Sequence, residues 1–175
     1  LLLAVLAPGI ASCSLFDRSR EGSGSGAGSA SPVAAAPAPA PAVTRAAYAM
    51  NRVSDGDTDV VIRRVTIEPT VTKIEMSCSN SAKKPTDIML APPGDPEVMF
   101  LELPGGKRAS LKSAEGIAIM PSRTSLAAGE TKTFTISFEP IPADTKSFDL
   151  FEGEQGKTAK IGSGSLWVFR NVELK

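Results

Sequence analysis

Three aspartates at alternate positions, Asp55, Asp57 and Asp59 in "SDGDTD", are the first residues whose spacing could do chemistry. Calcium loops of the EF-hand type begin with oxygen ligands spaced in this way. They also need Gly at the sixth position and Glu at the twelfth, where this chain has Val60 and Thr66. The EF-hand pattern therefore fails. The sequence predicts no resident metal and leaves a looser calcium site as the alternative to a solvated start of a strand.

Paired carboxylates could also support glycoside hydrolysis, because one can act as acid and the other as base or nucleophile. Nothing in the sequence singles out two members of the available pool, which is Glu102, Glu139, Asp149, Glu152 and Glu154. The chain has no histidine, which excludes every Ser-His and Cys-His nucleophile pair. Phosphate-binding, dinucleotide-binding and nucleophile-elbow motifs are also absent. We therefore expect a protein that is not an enzyme and needs no cofactor.

The two cysteines, Cys13 and Cys78, have different sequence contexts. A disulfide would require Cys13 to leave an apolar segment and cross a long Gly/Ala/Pro-rich stretch, so we do not expect the pair to form. Cys78 alternates with polar residues and shares its parity with Ile74 and Met76 in "VTKIEMSCSNS". This period of two predicts a strand that points Cys78 into a core as a small buried side chain.

The segment before Cys13, "LLLAVLAPGIAS", is apolar and uncharged. It is shorter than the roughly 20 apolar residues of a membrane-spanning helix, but it fits the hydrophobic region of a secretory signal. A helix buried against the folded domain is the alternative, which Pro8-Gly9 and the following spacer disfavour.

Ile10-Ala11-Ser12-Cys13 resembles the lipobox of bacterial lipoproteins, in which an aliphatic residue and two small residues precede a cysteine. The resemblance implies cleavage before Cys13, diacylation of its thiol, and export to a cell membrane or outer membrane, facing the periplasm or the exterior. Two or three acyl chains suffice for stable anchoring. Ser14 stands where aspartate tends to retain lipoproteins at the inner membrane, so the resemblance implies that outer-membrane delivery is permitted.

Composition divides the chain into three parts. Residues 1–12 are read as a signal-peptide remnant. Residues 13–45 are read as the lipidated cysteine followed by a disordered linker, because the stretch from 22 onward is almost wholly Gly, Ser, Ala and Pro. Residues 46–175 are long enough for one domain with its own core. Formal net charge is zero and no basic patch is visible, so we do not expect nucleic-acid binding.

Strand signals dominate residues 46–175, and no segment has a sustained helical stripe. The predicted strands are 59–69, 71–79, 86–91, 97–103, 107–111, 116–121, 127–140, 147–153 and 165–174, with a hairpin at Pro104-Gly105-Gly106 and a Gly- and Lys-rich loop between the last two strands. Short strands at spacings near ten residues predict an all-β, antiparallel two-sheet immunoglobulin-like sandwich of seven to nine strands.

The segments "TSLAAGETKTFTISFEPIP", "KSFDLFEGE" and "WVFRNVEL" resemble immunoglobulin-like domains of bacterial exported proteins of uncharacterised function. The resemblance implies a fold and carries no catalytic residues. In the last strand Trp167 and Phe169 share one parity, and Val168, Val172 and Leu174 share the other. Either one face fills the core while a neighbouring segment covers the other, or Trp167 and Phe169 belong to an exposed partner-binding patch.

These observations predict an envelope lipoprotein held at a membrane through acylated Cys13. Its β-domain is expected to be a non-enzymatic binding module whose partner is another envelope protein or a polysaccharide. The alternative is a structural or stress-related envelope component without a specific ligand.

Overall fold

Ten β-strands and one short helix make up the part of the chain that the computed structural model describes, residues 46–162 and 166–175. The predictions for the signal segment, Cys13, Ser14 and the spacer lie outside these residues. The elements are β1 (Ala46–Val53), β2 (Val60–Ile67), β3 (Thr72–Ser79), β4 (Thr86–Ile88), β5 (Met99–Glu102), β6 (Arg108–Glu115), β7 (Thr124–Leu126), β8 (Thr131–Phe138), β9 (Ser147–Glu152), α1 (Gly153–Thr158) and β10 (Val168–Glu173).

Eight of the strands form one antiparallel sheet in the order β1-β2-β3-β8-β6-β5-β9-β10, and β4 pairs with β7 in a small second sheet. The large sheet nearly closes on itself. Its two edge strands meet where Arg52 of β1 donates a hydrogen bond to the backbone carbonyl of Arg170 in β10, at 3.0 Å. The all-β prediction is confirmed. The strand number exceeds the expected seven to nine because β1 and β7 were not predicted.

Alternating apolar residues explain the centre of the sheet. In β3, Ile74 and Met76 are fully buried, and they lie opposite Ile136 and Phe134 of β8. Burying one such side chain contributes about 1.5–3 kcal/mol. Cys78 continues the same face and is 4% exposed, so its predicted burial is confirmed.

Strand β6 joins the two halves of the large sheet. Its first residues, from Arg108 to Ser110, pair with β5, and this confirms the predicted hairpin. From Leu111 onward it pairs with β8, and the register shifts between Leu111 and Ser113. The irregularity lets one strand serve both halves while the sheet turns. The predicted strand at 116–121 is reduced to a single bridge between Leu90 and Ile119.

Strand β10 buries both of its faces. Phe169 is fully buried and Trp167, just before the strand, is 7% exposed, and both belong to the main core. Trp167 and Phe169 therefore lie on a core face and form no exposed patch. Val172 also belongs to the main core, although its parity differs. The register shifts between Phe169 and Val172, and Asn171 in this bulge has a φ of 50°.

A short helix covers the other face of β10, where the sequence predicted only a loop. Val168 packs with Phe100 and Phe151 in a second small apolar cluster. Gly156 of α1 lies directly against this cluster: a Cβ there would be 3.4 Å from the Cβ of Phe151 and 3.5 Å from Cγ2 of Val168. The helix therefore packs closely against the sheet at Gly156, which has no side chain. Within the described residues, no helix has the length and apolar character needed to cross a membrane.

Candidate functional site

A cavity of about 440 Å³ opens at one end of the large sheet, beside β4. Its size lies in the range usual for small-ligand pockets. Segments distant in sequence contribute to it. They are the loop from β1 to β2, the end of β3, the segment around β4, Glu97 before β5, Met120 before β7, the end of β9 and Trp167 before β10. The lining residues are Asp57, Asp59, Cys78, Ser79, Asn80, Ala82, Thr86, Asp87, Ile88, Met89, Ala91, Glu97, Met120, Glu152 and Trp167.

The lining contains five carboxylates and no Lys or Arg. Asp87 lies 3.6 Å from the guanidinium of Arg123. The other four carboxylates, Asp57, Asp59, Glu97 and Glu152, form no salt bridge with any described residue. The cavity therefore carries an excess of negative charge that the described protein groups leave uncompensated.

Each of these four carboxylates is held through one oxygen. Asp57 accepts the backbone N–H of Asp59 at 3.0 Å, and Asp59 accepts the hydroxyl of Ser81 at 2.6 Å. The amide of Gln155 in α1 donates to Glu97 at 3.0 Å. These contacts position the carboxylates and leave the second oxygen of each without a hydrogen-bond partner in the described part of the chain.

Glu152, at the end of β9, is a partly buried carboxylate of the cavity. Its Oε2 accepts the backbone N–H of Trp167 at 2.8 Å, and its own N–H donates to the carbonyl of Trp167 at 3.1 Å. Burial raises the pKa of Glu152, the hydrogen bond from Trp167 opposes that rise, and the negative charges of Glu97 and Asp57 add to it. The environment of Glu152 thus favours its neutral form more than water would.

Trp167 forms an aromatic wall of the cavity. Its ring stacks on Phe134 with centroids 5.6 Å apart and an interplanar angle of 23°, which fixes its orientation. Most of the indole is in the core, and the remaining exposed fraction borders the cavity. An aromatic surface next to carboxylates can contact both the apolar stem and the charged end of a cationic side chain.

Cys78 also borders the cavity and is a free, buried thiol. Burial raises its pKa to about 11, and the negative charges of Asp57 and Asp59 contribute to the rise. The thiol is therefore protonated at neutral pH and is a poor nucleophile.

Asn80 anchors the loops on the β4 side of the cavity. Its side chain is buried, and the two N–H groups of Nδ2 are shared among three carbonyl oxygens, those of Lys84 at 2.9 Å, Leu126 at 3.1 Å and Ala127 at 3.0 Å. Its Oδ1 accepts the backbone N–H of Ala82 at 3.0 Å. One amide thus ties the β3–β4 loop to the segment from β7 to β8.

The loop that carries Asp57 is locked to β10 by Ser54. The Ser54 hydroxyl donates to the carbonyl of Val168 at 3.0 Å and accepts the backbone N–H groups of Gly56 and Asp57, each at 3.2 Å. A Cβ on Gly56 would lie 2.1 Å from the carbonyl oxygen of Leu166, so the close approach requires glycine.

The three aspartates of the calcium candidate do not act together. Asp55 accepts the Arg52 guanidinium at 2.7 Å and the backbone N–H of Arg170 at 2.8 Å, so it helps to close the sheet. Asp57 and Asp59 line the cavity. Within residues 46–162 and 166–175, no group of three or more His, Cys, Asp or Glu side chains is arranged to hold a metal ion.

Of the carboxylate pool considered for hydrolysis, only Glu152 lines the cavity. Glu139 accepts the backbone N–H of Ser110 at 3.0 Å, and Asp149 accepts that of Asn171 at 2.6 Å. Glu139, directly after β8, thus holds β6, and Asp149 of β9 holds the bulge of β10.

Glu102 and Glu154 lie on the outer side near α1 and pair with cations. Lys157 donates to Glu102 at 2.5 Å, and Arg108 pairs with both Glu154 and Glu102. Neither residue belongs to the cavity lining.

Sequence reasoning missed Asn80, Asp87 and Glu97 as residues of the site. For Asn80 a signal existed, since a polar amide directly after an alternating strand often terminates it. For Glu97 no local signal existed, because its neighbours in the cavity come from distant segments.

Comparison with known proteins gives no family. No protein-family model matches the chain. No curated protein matches it either. Among solved structures, it is similar to a functionally unknown protein from Listeria monocytogenes EGD-e, with 14% sequence identity and a TM-score of 0.45, over 73% of this chain and 86% of the other. At this level the similarity transfers neither a family nor a function.

Proposed function

We propose that this chain is a membrane-anchored lipoprotein whose all-β unit is a non-enzymatic binding module, and that the module takes a basic group of its partner into the acidic cavity. The observation that carries the proposal is the lining of that cavity. It has five carboxylates, no Lys or Arg, and an aromatic wall at Trp167.

Electrostatics favours a cation in this cavity. Asp57, Asp59, Glu97 and Glu152 each have an oxygen without a protein partner, and their mutual repulsion is relieved when a positive charge enters. Hydrogen bonds between ionised groups are about twice as strong as neutral ones. A primary ammonium or a guanidinium can donate to several of these oxygens at once.

The partner that best fits is a protein with an exposed Lys or Arg side chain. The apolar stem of such a side chain would lie against Trp167 and the methionines of the lining, while its charged end reaches the carboxylates. A neutral polysaccharide offers no charge to this cavity, so it is the less suitable partner.

The anchor rests on the lipobox resemblance of Ile10-Ala11-Ser12-Cys13. Metabolic labelling with a fatty-acid probe is expected to mark the chain, and Cys13→Ala is expected to abolish the label. Label that persists in Cys13→Ala would refute acylation at this residue. For the fold we propose an immunoglobulin-like sandwich derivative, supported by the way β6 pairs with β5 in one half and β8 in the other.

Binding is tested by calorimetric titration of the full chain with the peptide acetyl-Gly-Lys-Gly-amide at low salt. The neutral peptide acetyl-Gly-Gln-Gly-amide is the matched ligand control. Glu97→Gln should weaken lysine-peptide binding about threefold to tenfold, since it removes one charge while keeping an acceptor for Gln155. Glu115→Gln removes the same charge from an exposed residue of β6 and should change nothing. Equal affinity for the two peptides would refute the proposal and favour a structural component without a ligand.

A carboxylate-based hydrolase is the second candidate, because Glu152 has a raised pKa and lies near Glu97 and Asp57. A neutral carboxylic acid beside ionised carboxylates is the pairing that glycosidases use. Hydrolysis of nitrophenyl glycosides by the full chain, abolished in Glu152→Gln, would support this candidate. The absence of turnover in the wild-type chain would remove it for these substrates.

A further inference from the structure

We propose that Glu152 makes the cavity a pH-dependent site, which holds its basic ligand near neutral pH and releases it in mild acid. This inference rests on the proposed function, and it concerns how that site is regulated. It follows from where the Glu152 carboxylate lies and from the charges that face it.

Glu152 is the last residue of β9, is partly buried, and lines the cavity together with the other carboxylates. One of its oxygens is fixed by the backbone N–H of Trp167, and the other has no hydrogen-bond partner among the described residues. The charged side chains that line the cavity are all acidic: Asp57 and Asp59 from the β1–β2 loop, Glu97 from the segment before β5, and Asp87 from β4. Asp87 is paired with the Arg123 guanidinium at 3.6 Å, which leaves the other three facing Glu152 without a salt bridge among the described residues. The nearest titratable group of β3 is the Cys78 thiol, which is neutral.

The neighbouring helix supplies no counter-charge at this point. Gln155 of α1 faces the site with a neutral amide that holds Glu97, whereas Lys157 of the same helix is paired with Glu102 outside the lining. A ligand cation is thus the group that would compensate Glu152 when it is ionised.

Burial and the negative neighbours favour a proton on Glu152, and a bound cation favours its loss. The two equilibria are therefore linked: ligand binding releases a proton, and proton uptake weakens ligand binding by the same free energy. Histidine, which ordinarily titrates between about pH 5 and 8, does not occur in this chain. A pH response of binding in that range therefore points to a carboxyl group of raised pKa.

The test is calorimetric titration of the full chain with acetyl-Gly-Lys-Gly-amide at several values from about pH 7.5 to about pH 5. The lysine side chain stays charged throughout this range. Below the pKa of Glu152 the dissociation constant should rise toward tenfold for each pH unit, as for uptake of a single proton. Titrations in two buffers of different ionisation enthalpy should also show proton release on binding.

Glu152→Gln is the decisive variant, because glutamine keeps an oxygen that can accept the N–H of Trp167. It should bind the peptide more weakly than the wild type near pH 7.5 and show a flat pH profile. Near-ultraviolet circular dichroism of Trp167 reports whether the aromatic wall is retained. Glu115→Gln, the exposed control, should keep the wild-type profile.

The outcomes separate the two proposals. Lysine-peptide binding with the same affinity at every pH would overturn the role of Glu152 and leave the binding module intact. A pH profile that persists unchanged in a folded Glu152→Gln variant would also overturn it. No preference for the lysine peptide at any pH would refute the binding proposal itself, and the pH dependence with it.

Discussion

Replacement of Asn80 by alanine should destabilise the domain more than any loss of a surface polar residue. The side chain is 3% exposed; the two N–H groups of Nδ2 are shared among three carbonyl oxygens, and Oδ1 accepts one backbone N–H. Removing it leaves carbonyl groups of Lys84, Leu126 and Ala127 with fewer donors, and the hydrogen bond to Leu126 is buried. An unsatisfied buried polar group costs about 1–3 kcal/mol, so a loss of about 3 kcal/mol in the free energy of unfolding is expected.

Urea unfolding followed by tryptophan fluorescence measures this loss, with the slope of the transition checked for constancy. Asn80→Asp is the sharper comparison. It keeps the size of the side chain and the Oδ1 acceptor, but it replaces the amide nitrogen that faces three carbonyl oxygens by a carboxylate oxygen. It should be at least as destabilising as Asn80→Ala. Ser79→Ala removes an exposed hydrogen bond to Thr131 and should cost about 0.5 kcal/mol or less. If Asn80→Ala cost no more than Ser79→Ala, the anchoring role of Asn80 would be refuted.

Three further predictions follow from the site. Gly56→Ala would place a methyl group 2.1 Å from the carbonyl oxygen of Leu166, so thermal unfolding should show a loss of about 2–4 kcal/mol, and a melting temperature equal to wild type would contradict the close approach. The Cys78 thiol should resist iodoacetamide in the native protein near pH 8 and react once urea unfolds the chain; because burial raises its pKa from the ordinary thiol value of 9.0 to about 11, the stability it contributes should be lost as pH rises from about 9 to about 11. Glu152 has a folded pKa raised above that of the unfolded chain, so the native state binds its proton more tightly; acidification from neutral pH should relieve a cost of folding, and urea unfolding of Glu152→Gln should lack that component.

The central strands could be predicted from sequence because their apolar alternation is regular. The segment of β3 is the clearest example, since Ile74, Met76 and Cys78 all face the core as expected. Strand β1 was missed because "AAYAMNRV" is rich in alanine and directly follows an Ala/Pro-rich stretch, so its propensity for strand is weak. Its pairing with β2 stabilises the extended conformation that its own sequence favours only weakly.

Strand β10 shows where a strict period of two fails to predict which residues face the core. A bulge beyond Phe169 turns Val172 back to the main core, so parity counted from Trp167 assigns Val172 to the opposite face. Such a shift is a property of pairing with β9 and of the backbone at Asn171. It is not visible in the alternation of residue types.

The candidate site was only partly accessible to sequence reasoning. Asp57 and Asp59 attracted notice as possible calcium ligands, and Glu152 was one of five carboxylates without distinction. Their convergence with Glu97 depends on how β9, β10 and the β1–β2 loop meet in three dimensions. No local sequence pattern predicts this convergence, because the residues adjacent in sequence to each carboxylate have other structural roles.

The closure of the large sheet has a consequence for how the domain is made. The hydrogen bonds from Ser54 to Val168 and from Arg52 to Arg170 join residues separated by 114 and 118 positions. Contacts of such high contact order form slowly, and a chain emerging from its amino terminus can make them only after residues 166–170 have appeared. Until then the cavity lacks its aromatic wall and the edge of β1 is open to intermolecular strand pairing. Completion of the acidic cavity therefore requires the last strand of the chain, so the cavity forms only when β10 has docked beside β1.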